Sequence, residues 1–485
     1  MIIRRRTSRI RAALSPAVAP AAAFPIPPAC AQQRHAAPKP PAAAAAPART
    51  DPRPNIILIL ADDMGVETVN AYGGEYFTPH LDRMAKQGMR FDNAHATPLC
   101  SPSRTRLMTG IENHRNYQAF AYLAPGQVTF GNILKDAGYA TGIVGKWQLS
   151  GNGFDGRKGI TPEQAGFQES ALWQLKSLDA KGSRYWGPTR VIDGKTRIDE
   201  EGFGPDRDQA FALDFIDRHK DRPFFLYYPM ALVHDPFVPT PDSMSSKGDK
   251  NRFAGMMTYM DMQVGALLAK LEALGIDENT IVVFTADNGT NRKTTSTRNG
   301  VDVRGGKGLP TLTGTHVPMI VRAPGRVAAG SVTPALFDFL DFVPTFAEFA
   351  GARLKPGMID GVSQAGVIAG KASGVRDSIF MHYDPHWVAR PARFVFDATR
   401  KLYGDGRFVA LDPASGVETE IAPERMTAAD RERRAAFDKI LRETPNVPFS
   451  KKRFPMCVGR PSRDPKLPAI EAGCSPSTGT IGEDS

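Results

Sequence analysis

The sequence predicts an α/β fold, in which helices cover both faces of a large, mostly parallel sheet and a smaller antiparallel α+β subdomain follows. Continuous apolar runs at Ile56–Leu60 and Thr280–Thr285 are typical of strands that are buried on both faces, as in parallel sheets. Helical patterns at Asp208–Lys220 and Phe253–Leu274 lie between such runs. After residue 353, shorter strand-like runs alternate with turns. The alternation of strands and helices predicts the parallel sheet, and the later change of pattern predicts the second unit.

The remaining elements are assigned in the same way. Two further apolar runs, Pro223–Tyr228 and Thr141–Val144, are predicted strands of the large sheet. The C-terminal elements, in chain order, are the strands Ser378–Tyr383, Arg393–Phe396 and Arg407–Leu411 and the helix Thr427–Glu443. We therefore assign residues 54–352 to one large domain and residues 353–485 to a C-terminal subdomain.

Length and composition exclude several classes of protein. The chain has 485 residues, of which 41% are hydrophobic and 23% are charged, so a sizeable core can form and global disorder is excluded. No run of about eighteen apolar residues occurs, which excludes a conventional transmembrane helix. The formal net charge is +10, but the sequence has no basic stripe with interleaved aromatic residues. A nucleic-acid partner is therefore not expected.

The first residues are typical of an export signal. Five arginines and no acidic residue precede residue 12, and Ala29-Cys30-Ala31 offers a small-residue cleavage site after an Ala/Pro-rich stretch. We interpret residues 1–31 as a signal peptide and residues 32–53 as an extended Ala/Pro-rich linker. The protein is then expected to be periplasmic or secreted, with a net charge of about +5 after cleavage. Prolines interrupt the apolar stretch, so a disordered basic tail or a misplaced start codon stays open, as do twin-arginine and lipoprotein routes.

Four cysteines occur in the chain. Cys30 would leave with the signal peptide. Cys457 and Cys474 flank a polar stretch near the C-terminus and could close a loop as a disulfide in an oxidising compartment. Cys100 would then remain without a partner, and an odd cysteine in an exported protein requires a chemical reason.

Polar residues follow the apolar runs Ile56–Leu60 and Thr280–Thr285. Asp62 and Asp63 come after the first run, and Asp287 and Asn288 come after the other. Sites in α/β proteins lie at the carboxyl ends of strands, so these four side chains are expected at one edge of the sheet. Their oxygens suit a hard cation, Ca²⁺ or Mg²⁺, and no Cys/His cluster has the spacing of a zinc site. Each pair taken alone is equally compatible with a helix cap or with solvated acids.

The segment Cys100-Ser101-Pro102-Ser103-Arg104 is the most distinctive motif. It precedes a helix-like stretch at Thr105–Thr109, and the free N–H groups at the start of a helix favour an anion. Arg104 could reach the same anion. A nucleophile beside a metal and a helix start suits attack on a tetrahedral oxyanion ester. The alternative is a buried structural cysteine, with Arg104 in a surface ion pair.

Several motifs then occur in a fixed order. Cys100, Pro102 and Arg104 match a C-x-P-x-R signature, and residues 138–147 match G-Y-x-T-x-x-x-G-K-W. Further matching segments are Pro54–Gly65, Thr78–Asp82, Thr285–Gly289 and Gly306–Gly308. In these motifs the sequence resembles the type I, formylglycine-dependent sulfatases of the alkaline phosphatase superfamily. The resemblance extends from Pro54 to Gly351 and implies an alkaline phosphatase-like fold for the catalytic domain, residues 54–352.

The resemblance implies arylsulfatase-like hydrolysis of sulfate monoesters and a role for each matching residue. Cys100 would be oxidised by a maturation enzyme to formylglycine, whose hydrated aldehyde supplies the nucleophilic oxygen. Arg104 would hold the hydrate, while Lys146 and Lys307 would bind the sulfate oxygens. His234 would protonate the leaving alcohol. The cation, usually Ca²⁺ in this family with Mg²⁺ as the alternative, would be bound by Asp62, Asp63, Asp287, Asn288 and the modified residue 100.

Two regions depart from the common family pattern. Gln148 stands where many members have a histidine, and glutamine forms hydrogen bonds but does not titrate. The base for sulfate release is therefore left open, and we interpret Gln148 as a subgroup trait. Thr313 and His316 stand where many members have an acid and an arginine. Because this loop is expected near the site, His316 is a candidate substrate contact. The motifs do not define the natural substrate, a sulfated small molecule or a sulfated carbohydrate.

Four more histidines lie near the signature or in the C-terminal region. His95 and His114 are expected to be structural, whereas His382 and His386 could line a substrate pocket.

Two other functions stay open on the sequence alone. Phosphonate or phosphate diester hydrolases of the same superfamily can share the cysteine signature. A degenerate sulfatase-like protein could instead bind sulfated glycans without turnover. Gln148 is the only support for that reading, and the intact Cys100 argues against it.

Overall fold

The computed structural model describes residues 51–153, 155–176, 182–192, 194–386 and 390–451. The predicted signal peptide, Cys30, Cys457 and Cys474 lie outside the described residues. The strands are, in chain order, β1 Asn55–Ala61, β2 Met89–His95, β3 Ala140–Lys146, β4 Glu169–Trp173, β5 Thr189–Ile192, β6 Lys195–Ile198, β7 Phe224–Pro229, β8 Thr280–Ala286, β9 Thr295–Arg298, β10 Val301–Arg304, β11 His316–Arg322, β12 Ser331–Asp338, β13 Ile379–Tyr383, β14 Ala392–Phe396, β15 Arg400–Tyr403, β16 Phe408–Asp412 and β17 Val417–Glu420. The helices are α1 Pro79–Gln87, α2 Cys100–Thr109, α3 Asn113–Asn116, α4 Phe130–Asp136, α5 Gly204–His219, α6 Asp249–Ala273, α7 Leu312–Thr315, α8 Phe342–Phe349, α9 Ala365–Ile368 and α10 Ala428–Glu443.

The large sheet has ten strands in the order β12-β2-β11-β8-β1-β7-β3-β4-β5-β6. Its centre is parallel, because β1 pairs with β8 on one side and with β7 on the other, which places Leu58 between Val283 and Tyr227. β11 runs antiparallel to β2 and to β8, and β5 and β6 extend the far edge as an antiparallel ladder. The predicted mostly parallel sheet is confirmed, and the antiparallel strands make it a mixed one.

The central strands are apolar because both of their faces are covered. Every residue of β1, β7 and β8 is buried. Burying one such aliphatic or aromatic side chain contributes roughly 1.5–3 kcal/mol. The helix predicted at Phe253–Leu274 is α6, which begins one turn earlier with exposed polar residues that carry no apolar signal. Its buried face includes Met256, Met260 and Leu267, which belong to the same core as β1.

The C-terminal sheet is antiparallel, in the order β13-β14-β15-β16-β17, as the sequence predicts. β15 and β17 were not predicted, because both are short and rich in charged residues. The predicted helix at 427–443 is α10, and Thr427 caps it by accepting the backbone N–H of Asp430. Phe437 of this helix packs into a cluster with Val395 and Phe408 of the sheet.

Helix α2 begins at Cys100 itself, five residues before the helix-like stretch predicted from the sequence. Pro102 does not prevent this, because proline is tolerated in the first turn, where N–H groups have no partner within the helix. No helix in the described part of the chain is both long and apolar enough to cross a membrane.

Candidate active site

The carboxyl ends of β1 and β8 place four polar side chains together. Because Ala61 pairs with Ala286 at the ends of these parallel strands, the residues that follow lie side by side. Asp62, Asp63, Asp287 and Asn288 are all 0% exposed. The backbone N–H of Asp63 donates to Asp287 Oδ1 at 3.2 Å, and Asn288 Nδ2 donates to Asp63 Oδ1 at 2.9 Å. The structure thus brings together the four side chains that the sequence proposes as metal ligands.

Two oxygens of this group lack a hydrogen-bond donor. Asp62 Oδ1 and Asn288 Oδ1 are buried, and no donor among the described residues reaches them. Leaving a buried acceptor unsatisfied costs about 1–3 kcal/mol, which a hard cation would offset. Asp62, Asp63 and His234 also offer ligand atoms that lie within 4.8 Å of one another. The donor set therefore fits a divalent cation with oxygen ligands.

Three cationic side chains neutralise the buried acids. Lys146 Nζ lies 2.6 Å from Asp62 Oδ2, and Lys307 Nζ lies 2.6 Å from Asp63 Oδ2. Arg104 contacts Asp287 Oδ2 through Nε at 2.9 Å and through Nη2 at 2.7 Å. Burial acts to raise the pKa of Asp62, but the positive charge of Lys146 and its neighbours outweighs it and holds that pKa well below its usual range.

Cys100 opens helix α2 and faces the same group of charges. Its side chain is only 2% exposed. Burial raises the pKa of the Cys100 thiol, and the nearby positive charges of Lys146 and Lys307 only partly oppose this. The unmodified sulfur is therefore held as a thiol, which is a weak nucleophile. Arg104 lies one turn further along the same helix, so both residues face the carboxyl edge of the sheet.

His234 is oriented by the residue that follows it. Its Nδ1 lies 2.6 Å from the carbonyl oxygen and 2.9 Å from the carboxylate Oδ1 of Asp235. Because both oxygens can only accept, Nδ1 carries the hydrogen and Nε2 accepts from Lys307 Nζ at 2.8 Å. Burial lowers the pKa of His234, with Asp63 opposing the shift and Lys307 adding to it.

Gln148 also ends in an unsatisfied acceptor. It follows β3 by two residues and has a left-handed φ of 59°. Its Oε1 is buried, and no described residue donates to it. A strained, buried side chain with a free acceptor is more common at functional sites than in a packed core.

His316 has a different set of neighbours. Its Nε2 lies 2.8 Å from the carbonyl oxygen of Asp92, and its ring stacks on His95 with 5.2 Å between centroids. Burial lowers the pKa of His316 to about 4, so the ring is neutral. The structure does not place it in contact with the acids of the site. The loop before it does approach them, because Gly289 donates its N–H to Gly314 at 3.0 Å.

Among the described contacts of His95, His114, His382 and His386, none is to Asp62, Asp63 or Asp287. His95 stands edge-on to Phe396 of the C-terminal sheet. His114 and His382 face each other with 6.2 Å between ring centroids, and His386 lies 3.6 Å from Asp384.

Sequence reasoning missed three residues beside His234. Asp235 orients the histidine ring, and its position next to His234 was an available signal. Tyr185 donates its hydroxyl to the carbonyl oxygen of His234 at 2.5 Å. Arg184 carries a charge that acts on both His234 and Asp235. Tyr185 and Arg184 belong to a segment without a motif, so the sequence carried no signal for them.

Comparisons of sequence and of structure both relate this chain to sulfatases. The family model described as Sulfatase matches residues 54–352. Arylsulfatase A of Homo sapiens is 32% identical over 362 residues, which cover 68% of this chain and 70% of that protein. N-acetylgalactosamine-6-O-sulfatase of Bacteroides thetaiotaomicron is 32% identical over 385 residues, which cover 63% and 73% of the two chains. A solved structure from the glycosaminoglycan metabolism of the same bacterium superposes with a TM-score of 0.63 at 25% identity, over 81% of this chain and 99% of that one.

Proposed function

The chain belongs to the sulfatase family and hydrolyses sulfate esters, and we propose that it does so with a formylglycine made from Cys100 and a divalent cation at the carboxyl ends of β1 and β8. One observation carries this proposal. A buried cysteine at a helix start lies among three cationic side chains, next to a group of buried acids that still has unsatisfied oxygens. This combination suits an anionic ester and a hard cation, and a purely structural cluster would not need it.

The cation would be held by side-chain oxygens. We assign Ca²⁺, with Mg²⁺ as the alternative, to Asp62, Asp63, Asp287, Asn288 and the modified residue 100. The unsatisfied Oδ1 atoms of Asp62 and Asn288 support this assignment. When bound, such a cation would polarise the sulfate oxygens and balance charge that develops there.

The remaining positive charges would bind the ester. Lys146 and Lys307 would turn from their carboxylate partners to the sulfate oxygens, for which ammonium groups are good donors. Arg104, fixed by two contacts to Asp287, would hold the oxygens of residue 100. The hydrated aldehyde of a formylglycine would supply the nucleophilic oxygen, which the buried thiol of Cys100 does not.

His234 would donate a proton to the leaving alcohol from Nε2. Asp235 fixes the ring by accepting from Nδ1. The pKa of His234 is lowered in the free chain, chiefly by burial. A bound sulfate places negative charge beside Nε2 and therefore favours the protonated ring. Gln148 Oε1 can accept a hydrogen bond from a hydroxyl of the site but cannot take up the proton, so the base for the release step is a different group.

The proposal also covers export, maturation, the substrate class and the domain limits. We propose that residues 1–31 direct export to the periplasm or beyond, that a maturation enzyme converts Cys100, and that the substrate is a sulfated small molecule or carbohydrate. The domain limits 54–352 and 353–485 remain proposals as well.

The first test is the mass of the peptide that contains Cys100, from protein isolated from its native host. The mass of the aldehyde or of its hydrate is the expected result. Turnover of 4-nitrophenyl sulfate by the same preparation should follow the fraction of aldehyde. A fully intact thiol in an active preparation would contradict the proposal.

A further inference from the structure

Arg184 is a buried arginine for which the described residues supply no ion pair, and its charge acts on His234 and Asp235 of the candidate site. Arg184 is 8% exposed, and its guanidinium carbon lies 4.3 Å from the centroid of the Trp173 ring. Its Nη1 is buried, and the described residues supply no acceptor for it. By contrast, Arg104, Lys146 and Lys307 each contact a carboxylate.

Two contacts place Arg184 next to the site. Trp173 ends β4 and pairs in register with Lys146, which ends β3. Tyr185, the next residue after Arg184, donates its hydroxyl to the carbonyl oxygens of Ala231, at 2.8 Å, and of His234, at 2.5 Å. The segment is thus tied to the loop that carries the proposed general acid.

The residue after Trp173 is a second polar residue whose side chain lacks partners among the described residues. Gln174 follows Trp173 and is 3% exposed. Both its Oε1 and its Nε2 are buried without a partner in the described part of the chain. Its φ of 60° lies in the left-handed region, which strains the backbone of a residue other than glycine. Backbone strain at Gln174, together with the unmet hydrogen bonds of its side chain, indicates that this residue is kept for a ligand and not for stability.

An anion would supply the acceptor that the described residues do not offer to Arg184. A guanidinium group offers paired N–H donors that match a carboxylate or a sulfate, and it cannot be relieved by losing its proton. We propose that Arg184 and Gln174 form a subsite for a second acidic group of the substrate, a carboxylate or a second sulfate, beside the ester that is cleaved. The proposal rests on the function proposed above and narrows its substrate class to molecules with two acidic groups.

The test compares aryl sulfates that differ only in the second group. The substrates are 4-nitrophenyl sulfate, 2-carboxy-4-nitrophenyl sulfate and 4-nitrocatechol disulfate, used with the full chain whose aldehyde content has been measured. The variants are Arg184→Gln and Arg184→Lys, with Arg197→Gln as the control. Arg197 lies exposed on β6, so its loss removes the same charge without touching the subsite.

The readout is the ratio of kcat/KM for each two-acid substrate to that for 4-nitrophenyl sulfate. We expect this ratio to exceed one in the native chain and to fall about tenfold or more in Arg184→Gln, because a hydrogen bond to a charged group is lost. Arg184→Lys should fall between the two, since it keeps the charge but loses the paired donors. Arg197→Gln should leave the ratio unchanged. A drop confined to the carboxylated or to the disulfated substrate identifies the acidic group.

Binding gives a readout that does not need the aldehyde. In a Cys100→Ala background, calorimetry should show that Arg184→Gln weakens 2-carboxy-4-nitrophenyl sulfate more than 4-nitrophenyl sulfate. If Arg184→Gln does not fold, as thermal unfolding would reveal, the decision passes to Arg184→Lys. Equal ratios in the native chain and in the folded variants overturn the subsite and leave the sulfatase mechanism standing. Failure of aldehyde-bearing protein to cleave any of the three substrates overturns both.

Discussion

Two arginines on helix α2 belong to two buried charge clusters that differ in kind. Arg104 contacts Asp287 at the site, and Arg106, two residues on, contacts Asp338 and Glu112. Both arginines are buried. In the Arg106 cluster every carboxylate oxygen has a donor: Arg106 contacts Asp338 Oδ1 at 2.8 Å and Oδ2 at 2.6 Å. In the Arg104 cluster Asp62 Oδ1 and Asn288 Oδ1 have none among the described residues.

The two clusters show which structural property marks a functional site in this fold. Buried charge alone does not, because the Arg106 cluster is just as buried and joins α2 to β12 and, through the carbonyl oxygen of Phe380, to β13. The Arg104 cluster differs in that the described residues leave acceptors of two adjacent ligand candidates, Asp62 and Asn288, without a donor, which leaves room for a cation. The four predictions below test this distinction.

The largest effect is expected at the nucleophile. Cys100→Ala removes the thiol group from which the aldehyde would be made, so turnover of 4-nitrophenyl sulfate should fall by at least about 10⁴-fold. The free energy of unfolding should change little, because alanine fits the same apolar cluster. Steady-state kinetics and urea unfolding measure the two effects. Retention of a hundredth of the turnover would show that residue 100 is not the nucleophile.

Loss of one acid should mainly lower stability in the Arg106 cluster and mainly lower turnover in the Arg104 cluster. Asp338→Asn leaves Arg106 with a weaker partner and should lower the free energy of unfolding by about 3–5 kcal/mol. Asp287→Asn should cost much less stability, since burial and the charge of Asp62 raise the pKa of Asp287 and already disfavour its charged form. Its turnover should be lost nonetheless.

Urea unfolding and kinetics on both variants check this pair. The turnover of folded Asp338→Asn should stay close to that of the native chain. Equal destabilisation by the two substitutions would remove the distinction between the clusters.

Only the Arg104 cluster should respond to a divalent cation. After treatment with a chelator, adding Ca²⁺ at about 100 times its dissociation constant should stabilise the fold by about 2.7 kcal/mol. Thermal unfolding with and without Ca²⁺ measures this. In Asn288→Ala the increment should shrink, and in Asp338→Asn it should persist. An increment of the same size in all three proteins would place the cation elsewhere.

The smallest effect is expected at a third buried ion pair, where the direction in which stability changes with pH can be checked. Asp208 contacts Arg190 at 3.0 Å, yet burial outweighs this partner and raises the pKa of Asp208 to about 6. A pKa above the unfolded value of 3.8 means that stability is lost as pH rises from about 4 to about 6. The native chain should lose about 2 kcal/mol between pH 4.5 and pH 7 relative to Asp208→Asn. Urea unfolding at both values checks it, and a difference of opposite sign would refute the assignment.

The sequence predicted the parts of the site that depend on strand ends. Asp62 and Asp287 could be placed together because apolar runs identify parallel strands and parallel strands share a carboxyl edge. The motifs then supplied Cys100, Arg104 and the lysines. The C-terminal sheet was predicted as a class, but β15 and β17 were not, because each has only four residues and is rich in charged side chains, which leaves too short an apolar period to recognise.

The parts of the site that the sequence did not predict depend on contacts between distant segments. The charge of Arg184 acts on His234 from a segment without a motif, and no period or spacing encodes that proximity. His316 was assigned from its place in a loop, whereas its actual neighbours, His95 and Asp92, are set by the pairing of β11 with β2. Sequence patterns define elements well, and they define loop contacts poorly because loops carry no periodicity.

The burial of Cys100 has a consequence for the order of events during synthesis. Its side chain packs in one cluster with residues of β13 and β14. If the thiol is oxidised as proposed, an enzyme must reach it before that sheet closes over it. β13 begins about 280 residues after Cys100, which a ribosome adding about 5–20 residues per second needs roughly 15–60 seconds to deliver. The thiol therefore stays accessible to a maturation enzyme for at least this interval, and for longer where export delays folding.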